Sequence, residues 1–121
     1  MLVWTMNKIN KNFSIARLVA MSEEKEVNRK FRVGAVGIRN DGVMVACSNI
    51  CTRTPNKHAH AEARLVRKLT PKSIVYVVRI DSNGEFRNAR PCENCSRLLS
   101  QKKVKKVYYS INEQEYGVID I

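Results

Sequence analysis

The chain has 121 residues, 44% of them apolar, which is enough for one domain with a real core and too few for two. Its formal net charge of +11, from 22 Lys and Arg against 11 Asp and Glu, favours polyanions or phosphorylated substrates through long-range attraction. The basic residues are spread along the chain, however, so a lysine-rich surface accounts for the charge equally well. Apolar runs fall short of the roughly 20 residues of a membrane span, and Leu2-Val3-Trp4 is too short, with no basic leader, for a secretory signal. A membrane partner is therefore excluded and an intracellular, cytoplasmic location expected. Four cysteines in that setting point to metal or free thiols before disulfides.

In chain order, residues 13–29 carry Phe13, Ile15, Leu18, Val19 and Met21, then Glu23-Glu24-Lys25-Glu26. This pattern predicts a helix whose first half packs and whose second half is exposed. Phe31–Arg39 and Val43–Asn49 are β-rich runs around Asn40-Asp41-Gly42, a hairpin turn. Residues 50–59 form a polar loop. A second helix begins near His60, with Ala61, Leu65 and Leu69 on one face, and Thr70-Pro71 ends it. Ile74 to Val78 reads as a central strand covered on both faces. Ser82-Asn83-Gly84 marks a turn, and Pro91 suits the start of a third helix running to about Gln101. Val104 to Ile111 is the next strand, and Gly117 to Ile121 folds back as a short antiparallel edge. The expected fold is one domain over residues 1–121, a three-layer α/β/α sandwich with a mixed central sheet and a final antiparallel hairpin.

Two motifs carry chemistry: His60-Ala61-Glu62 and Pro91-Cys92-Glu93-Asn94-Cys95. A structural zinc site fills four positions with protein ligands, whereas a catalytic one uses three and keeps the fourth for water. His60, Cys92 and Cys95 make three, and Glu62 is the carboxylate left over to move protons. His60 and Glu62 lie about 200° apart around a helix, so they converge only on a metal off its N-terminus. Cys92 and Cys95 share a helix face, where the dipole and the metal favour thiolate. A rival set, Cys47-x3-Cys51 with Cys92 and Cys95, would make a four-cysteine structural site in a binding module. That set leaves His60-Ala61-Glu62 without a task, and Cys47 falls in a strand pattern where it packs. His58 reads as a loop residue, and Asn94 as surface or a local cap.

The two motifs, in this order and each opening a helix, resemble the signature of the cytidine deaminase superfamily, over roughly residues 31 to 110. The resemblance implies one Zn2+ per chain on His60, Cys92 and Cys95. It also implies a Glu62 that takes a proton from the attacking water and returns it to the ring nitrogen and the leaving ammonia. Asn49, ending the second strand, would contact sugar or base, although it serves equally as a turn residue. Ala61 is small enough to admit substrate, and Arg90 stands where a 5′-phosphate would lie. The expected substrate is a cytosine nucleoside or nucleotide. A polynucleotide (single-stranded DNA, RNA or tRNA) is the runner-up, favoured by the charge and by Arg53, Lys57, Arg87 and Arg90; Phe86 is the only aromatic in those loops to stack a base. A third reading is a zinc-bearing nucleic-acid-binding module without catalysis, which leaves Glu62 unexplained. The sequence departs from relatives at Ala63-Arg64-Leu65, which lacks the asparagine of deoxycytidylate deaminases, and at Arg90, where many carry a small polar residue. Lys102 to Lys106 reads as a solvated helix end and strand edge in preference to a phosphate site. Small relatives self-associate, so a homo-oligomer is expected.

Overall fold

A strand without a polar face must be covered on both sides, and the run from Ile74 becomes the middle of the sheet. The structure is a computed structural model that describes residues 3–21, 32–48 and 61–120, without the side chains of residues 3–10, 61 and 63. Its strands are β1 (Arg32–Ile38), β2 (Met44–Ser48), β3 (Ile74–Ile80), β4 (Phe86–Arg87), β5 (Lys106–Ser110) and β6 (Tyr116–Asp120). Its helices are α1 (Val3–Met21), α2 (Ala61–Val66) and α3 (Glu93–Gln101). The sheet order is β2-β1-β3-β5-β6. β3 and β5 are parallel and the other pairs antiparallel. α3 supplies the crossover that a parallel pair requires. β5 pairs with β3 from Ile74 to Val77, and β4 takes over at Arg79 and Ile80. This is the expected mixed sheet, closing on the expected hairpin.

Side chains alternate across each strand and sort into two cores. Val75 and Val77 of β3 join Ala35, Cys47, Leu65, Leu99 and Val107 on the face covered by α2 and α3. Tyr76, Val78 and Ile80 join Val36 and the α1 residues Phe13, Ala16 and Ala20 on the other. Helices thus lie on both faces, which makes the three layers. Gly34 allows α1 to sit close against β1: a Cβ there would lie 2.2 Å from the Ala16 carbonyl oxygen and 2.7 Å from the Ala20 nitrogen. No helix among the described residues is long and apolar enough to cross a membrane.

Three boundaries differ from the sequence reading. α1 begins at Val3, ten residues earlier than expected. Asn7, Lys8, Asn10, Lys11 and Asn12 interrupt the apolar period there, and asparagine is a modest helix former. Residues 22–29 of that predicted helix lie outside the described residues. α2 stops at Val66, before Thr70-Pro71. Tighter bonds from Lys68 N–H to the Leu65 carbonyl (2.8 Å) and from Leu69 N–H to the Val66 carbonyl (3.2 Å) turn the chain, yet Leu69 stays buried in the core. The short β4, read from sequence as loop, is the third difference.

Candidate active site

The lead from α2 enters β3 at its N-terminal end, and α3 does the same for β5. Both helices therefore start at the carboxyl end of these parallel strands, where open α/β sheets hold their ligands.

Glu62 lies in the first turn of α2 and is only 6% exposed. A carboxylate is rarely buried so far without a task or a partner. Leu65, one turn on and fully buried, presses α2 onto the sheet. Arg64 donates from Nη1 to the Ser48 carbonyl, and Lys68 Nζ donates to the Ala46 carbonyl at 3.1 Å. These two side chains, one in α2 and one in the turn that follows it, hold α2 against the strand and cap carbonyls of β2, an edge strand of the sheet. The sequence reading treated Arg64 as a departure from a family pattern and missed this role; the Arg64/Lys68 spacing was its one legible sign.

Cys92 is the N-cap of α3, in extended conformation (φ −67, ψ 167), and its Sγ accepts the Cys95 N–H at 3.4 Å. Cys95 is buried and Cys92 exposed. The helix thus starts two residues after Pro91, which precedes the cap and is not the first helical residue. Asn94 lies inside the first turn, half-buried, and is not the cap. Upstream, Ser110 Oγ donates to the Arg87 carbonyl at 2.8 Å and accepts from the Arg79 N–H at 3.3 Å. Ala89 N–H donates to the Ser110 carbonyl at 2.8 Å. The buried Ser110 therefore ties the segment leading to Cys92 to the end of β5, a role with no sign in the sequence.

Two cysteine sulfurs on one turn form a soft donor pair that suits zinc, so the residues present fit that metal. His60, Asn49, Cys51, Arg53, Lys57 and His58 lie outside the described residues, as does the Ala61 side chain. Among the described residues, no three His, Cys, Asp or Glu side chains gather to hold a metal. Cys47 packs in the core, 6% exposed, and does not complete a set with Cys92 and Cys95.

Arg90 is exposed and reaches Tyr109, donating from Nη1 to its hydroxyl at 3.3 Å. The Tyr109 ring lies on Gly117, where a Cβ would stand 2.2 Å from Cζ. Arg87 is engaged by Asp81 at 2.7 Å and Glu85 at 3.7 Å. Phe86 is in β4, not a loop, and the Arg17 guanidinium lies 3.7 Å over its ring.

A mixed open sheet that carries a buried glutamate on one helix and a cysteine pair opening the next has the architecture of a zinc-dependent deaminase. Residues 6–111 match the model of the cytidine and deoxycytidylate deaminase zinc-binding region, and the chain belongs to that family. The fold is similar to that of cytidine deaminase from Mycobacterium leprae (TM-score 0.63, 18% identity, covering 98% of this chain and 94% of that one). It is likewise similar to the Burkholderia pseudomallei cytidine deaminase (0.66, 16%, 92% and 91%) and to the Mycobacterium tuberculosis enzyme (0.55, 19%, 93% and 91%). At these identities the likeness is one of fold. No curated protein matches the chain by sequence.

Proposed function

We propose that this single-domain protein hydrolyses the exocyclic amine of cytosine in a free nucleoside or nucleotide (cytidine, deoxycytidine or a monophosphate) in the cytoplasm. The observation that carries the reading is Glu62, buried in the first turn of α2 next to α3, the helix that opens on Cys92 and Cys95. His60, Cys92 and Cys95 would hold one zinc ion. When bound, zinc supplies Lewis acidity that lowers the pKa of a water.

Glu62 accepts a proton from the water that adds to the ring carbon bearing the amine. It then gives that proton to the adjacent ring nitrogen and assists departure of the amine as ammonia, leaving uracil. Burial keeps bulk water from competing for the carboxylate. Asn49 is the proposed contact to sugar or base, and Ala61 leaves room for the ring. Arg90, steadied by Tyr109, is the proposed partner of a 5′-phosphate. The engagement of Arg87 by Asp81 and Glu85, and of Phe86 by Arg17, supports a free nucleotide over a polynucleotide, because it occupies groups a base-splaying track would need. A homo-oligomer is the proposed assembly.

The test is ammonia release by zinc-loaded protein on cytidine, deoxycytidine, their monophosphates, single-stranded DNA and tRNA. Glu62→Gln should retain zinc and lose roughly 10²- to 10⁴-fold in kcat. A zinc-loaded, fully active Gln variant would remove Glu62 from the mechanism. Turnover confined to the polynucleotides would overturn the substrate assignment.

A further inference from the structure

We propose that the end of the molecule opposite the active site binds the phosphate backbone of a nucleic acid. Two turns separated in sequence lie side by side there. Lys72 N–H donates to the Lys103 carbonyl at 2.8 Å, and Lys105 N–H donates to the Ser73 carbonyl at 2.8 Å. This brings Lys72, after α2, next to Lys103 and Lys105, after α3, while Arg67 and Lys102 lie at the ends of those two helices. All but the half-buried Lys102 are exposed.

Acids at this end are already matched: Asp41 by Arg39 at 3.0 Å and Asp120 by Lys106 at 3.8 Å. Among the described residues, none of these five cations has an acidic side chain within ion-pair distance. Asp81, Glu85, Glu113 and Glu115 follow the carboxyl ends of β3 and β5, at the active-site end. Those acids share their end with Arg17 and Arg87, which pair with Glu113, Asp81 and Glu85, whereas at the other end the cations outnumber the two acids, so the excess positive charge lies there.

Backbone conformation adds an independent observation. Lys72 (φ 67) and Lys103 (φ 61) both occupy the left-handed region, where glycine or asparagine is least strained. A turn selected for shape alone would carry one of those. Cations at a helix C-terminus also answer its dipole, which accounts for Arg67, just past α2, and Lys102, the C-cap of α3. That field fades within a turn, and it leaves Lys72 and Lys105 unexplained.

The chemistry of the patch selects the partner. Leu69 and Val104, which interleave the cations in sequence, are 3% and 1% exposed. The cluster thus offers neither an apolar wedge for a bilayer nor a buried anchor for a protein interface. It offers charge, as sequence-independent contact with phosphodiesters requires. α3 separates it from Cys92 by about 14 Å, the length of nine helical residues. The patch is a tether and not the track to the active site, so the inference stands apart from the proposed substrate.

The experiment is fluorescence anisotropy of the full chain with fluorescein-labelled single-stranded RNA and a DNA duplex, between ~50 and ~200 mM salt. The variant is Lys72→Asn with Lys103→Asn and Lys105→Gln, asparagine being chosen because it tolerates left-handed φ. Affinity should fall roughly 10- to 100-fold at low salt, with a log–log salt slope shallower by about 2 to 3. A control, Lys11→Gln with Arg97→Gln, should change affinity less than about threefold, and ammonia release from cytidine should be unchanged. Lys105→Gln alone, at ordinary φ, should lower the slope by about 1 and covers the case in which the triple variant misfolds. The proposal is overturned by no binding to wild type at low salt or by equal loss in the control. It is also overturned by wild-type affinity in the variants, or by phosphatidylserine vesicles competing as well as RNA.

Discussion

On the face covered by α2 and α3, β3 presents Val75 and Val77, and that core is mainly branched side chains (Leu65, Leu99, Val104 and Val107), with Tyr109 as the one buried ring among the described residues. On the face covered by α1, the same strand presents Tyr76 among rings. Tyr76 stacks on Tyr108 at 4.9 Å, and Phe13 meets Tyr76 edge-on at 5.7 Å and Tyr116 at 5.9 Å. The difference follows from what each face must do. Compact side chains let two helices lie side by side, which holds Glu62 and the cysteine pair in a common frame. A single helix cannot span the sheet, so rings extend the cover from α1 to β5 and β6. Displacement on the first face should disturb the proposed site; on the second it should cost only stability.

Leu65→Ala should break the first face. Removing a fully buried leucine costs about 2–5 kcal/mol, measured by urea unfolding. Because Leu65 seats the helix that carries Glu62, kcat at temperatures well below melting should fall as well. Unchanged kcat in the folded fraction would mean that the Arg64 and Lys68 bonds to β2 hold α2 without it.

Gly34→Ala tests the other face. The new Cβ would meet backbone atoms of Ala16 and Ala20 at 2.2 and 2.7 Å, and backbone cannot rotate away as a side chain can. α1 must lift, at about 1–3 kcal/mol. The folded variant should keep wild-type kcat. Parallel losses of stability and kcat would show that the aromatic face is coupled to the site, and the division between faces would fail.

The faces were legible in sequence to unequal degrees. Ile74 to Val78 announced a doubly covered strand because burial on both sides leaves no polar period to hide. The order of elements announced the mixed sheet and its final hairpin, and the two motifs announced the family. The first ten residues of α1 did not read as helix, because asparagines and lysines mask the apolar period while tertiary packing of Phe13, Ala16 and Ala20 holds it. Ser110, Tyr109 and Arg64 escaped for a different reason. Each acts through a partner far along the chain (Arg87, Arg90 and Ser48) and none changes the local pattern. The apposition of Lys72 with Lys103 is of the same kind: the Lys102 to Lys106 run gave no sign of Lys72 until the topology set the two turns together.

The smallest expected effect concerns the turn between β3 and β4, which sets where the segment toward Cys92 begins. Asp81 Oδ1 accepts from the N–H groups of Asn83 (2.9 Å) and Glu85 (3.1 Å), and Arg87 pairs with its other oxygen. Partial burial opposes ionisation, but the Glu85 and Asn83 donors and the Arg87 charge outweigh it and hold the carboxyl below its ordinary value. A depressed folded pKa means that the charged form is the one the fold prefers. Its contribution is therefore complete above the unfolded carboxylate pKa and disappears as pH falls through the lower, folded one. Asp81→Asn should lower the urea midpoint slightly at neutral pH, and the gap from wild type should close as the solution is acidified through the carboxylate range. Both faces contribute packing that does not titrate, so this closing gap isolates the turn. A constant gap across that range would show that Asp81 acts by shape, as asparagine also does in turns, and not by charge.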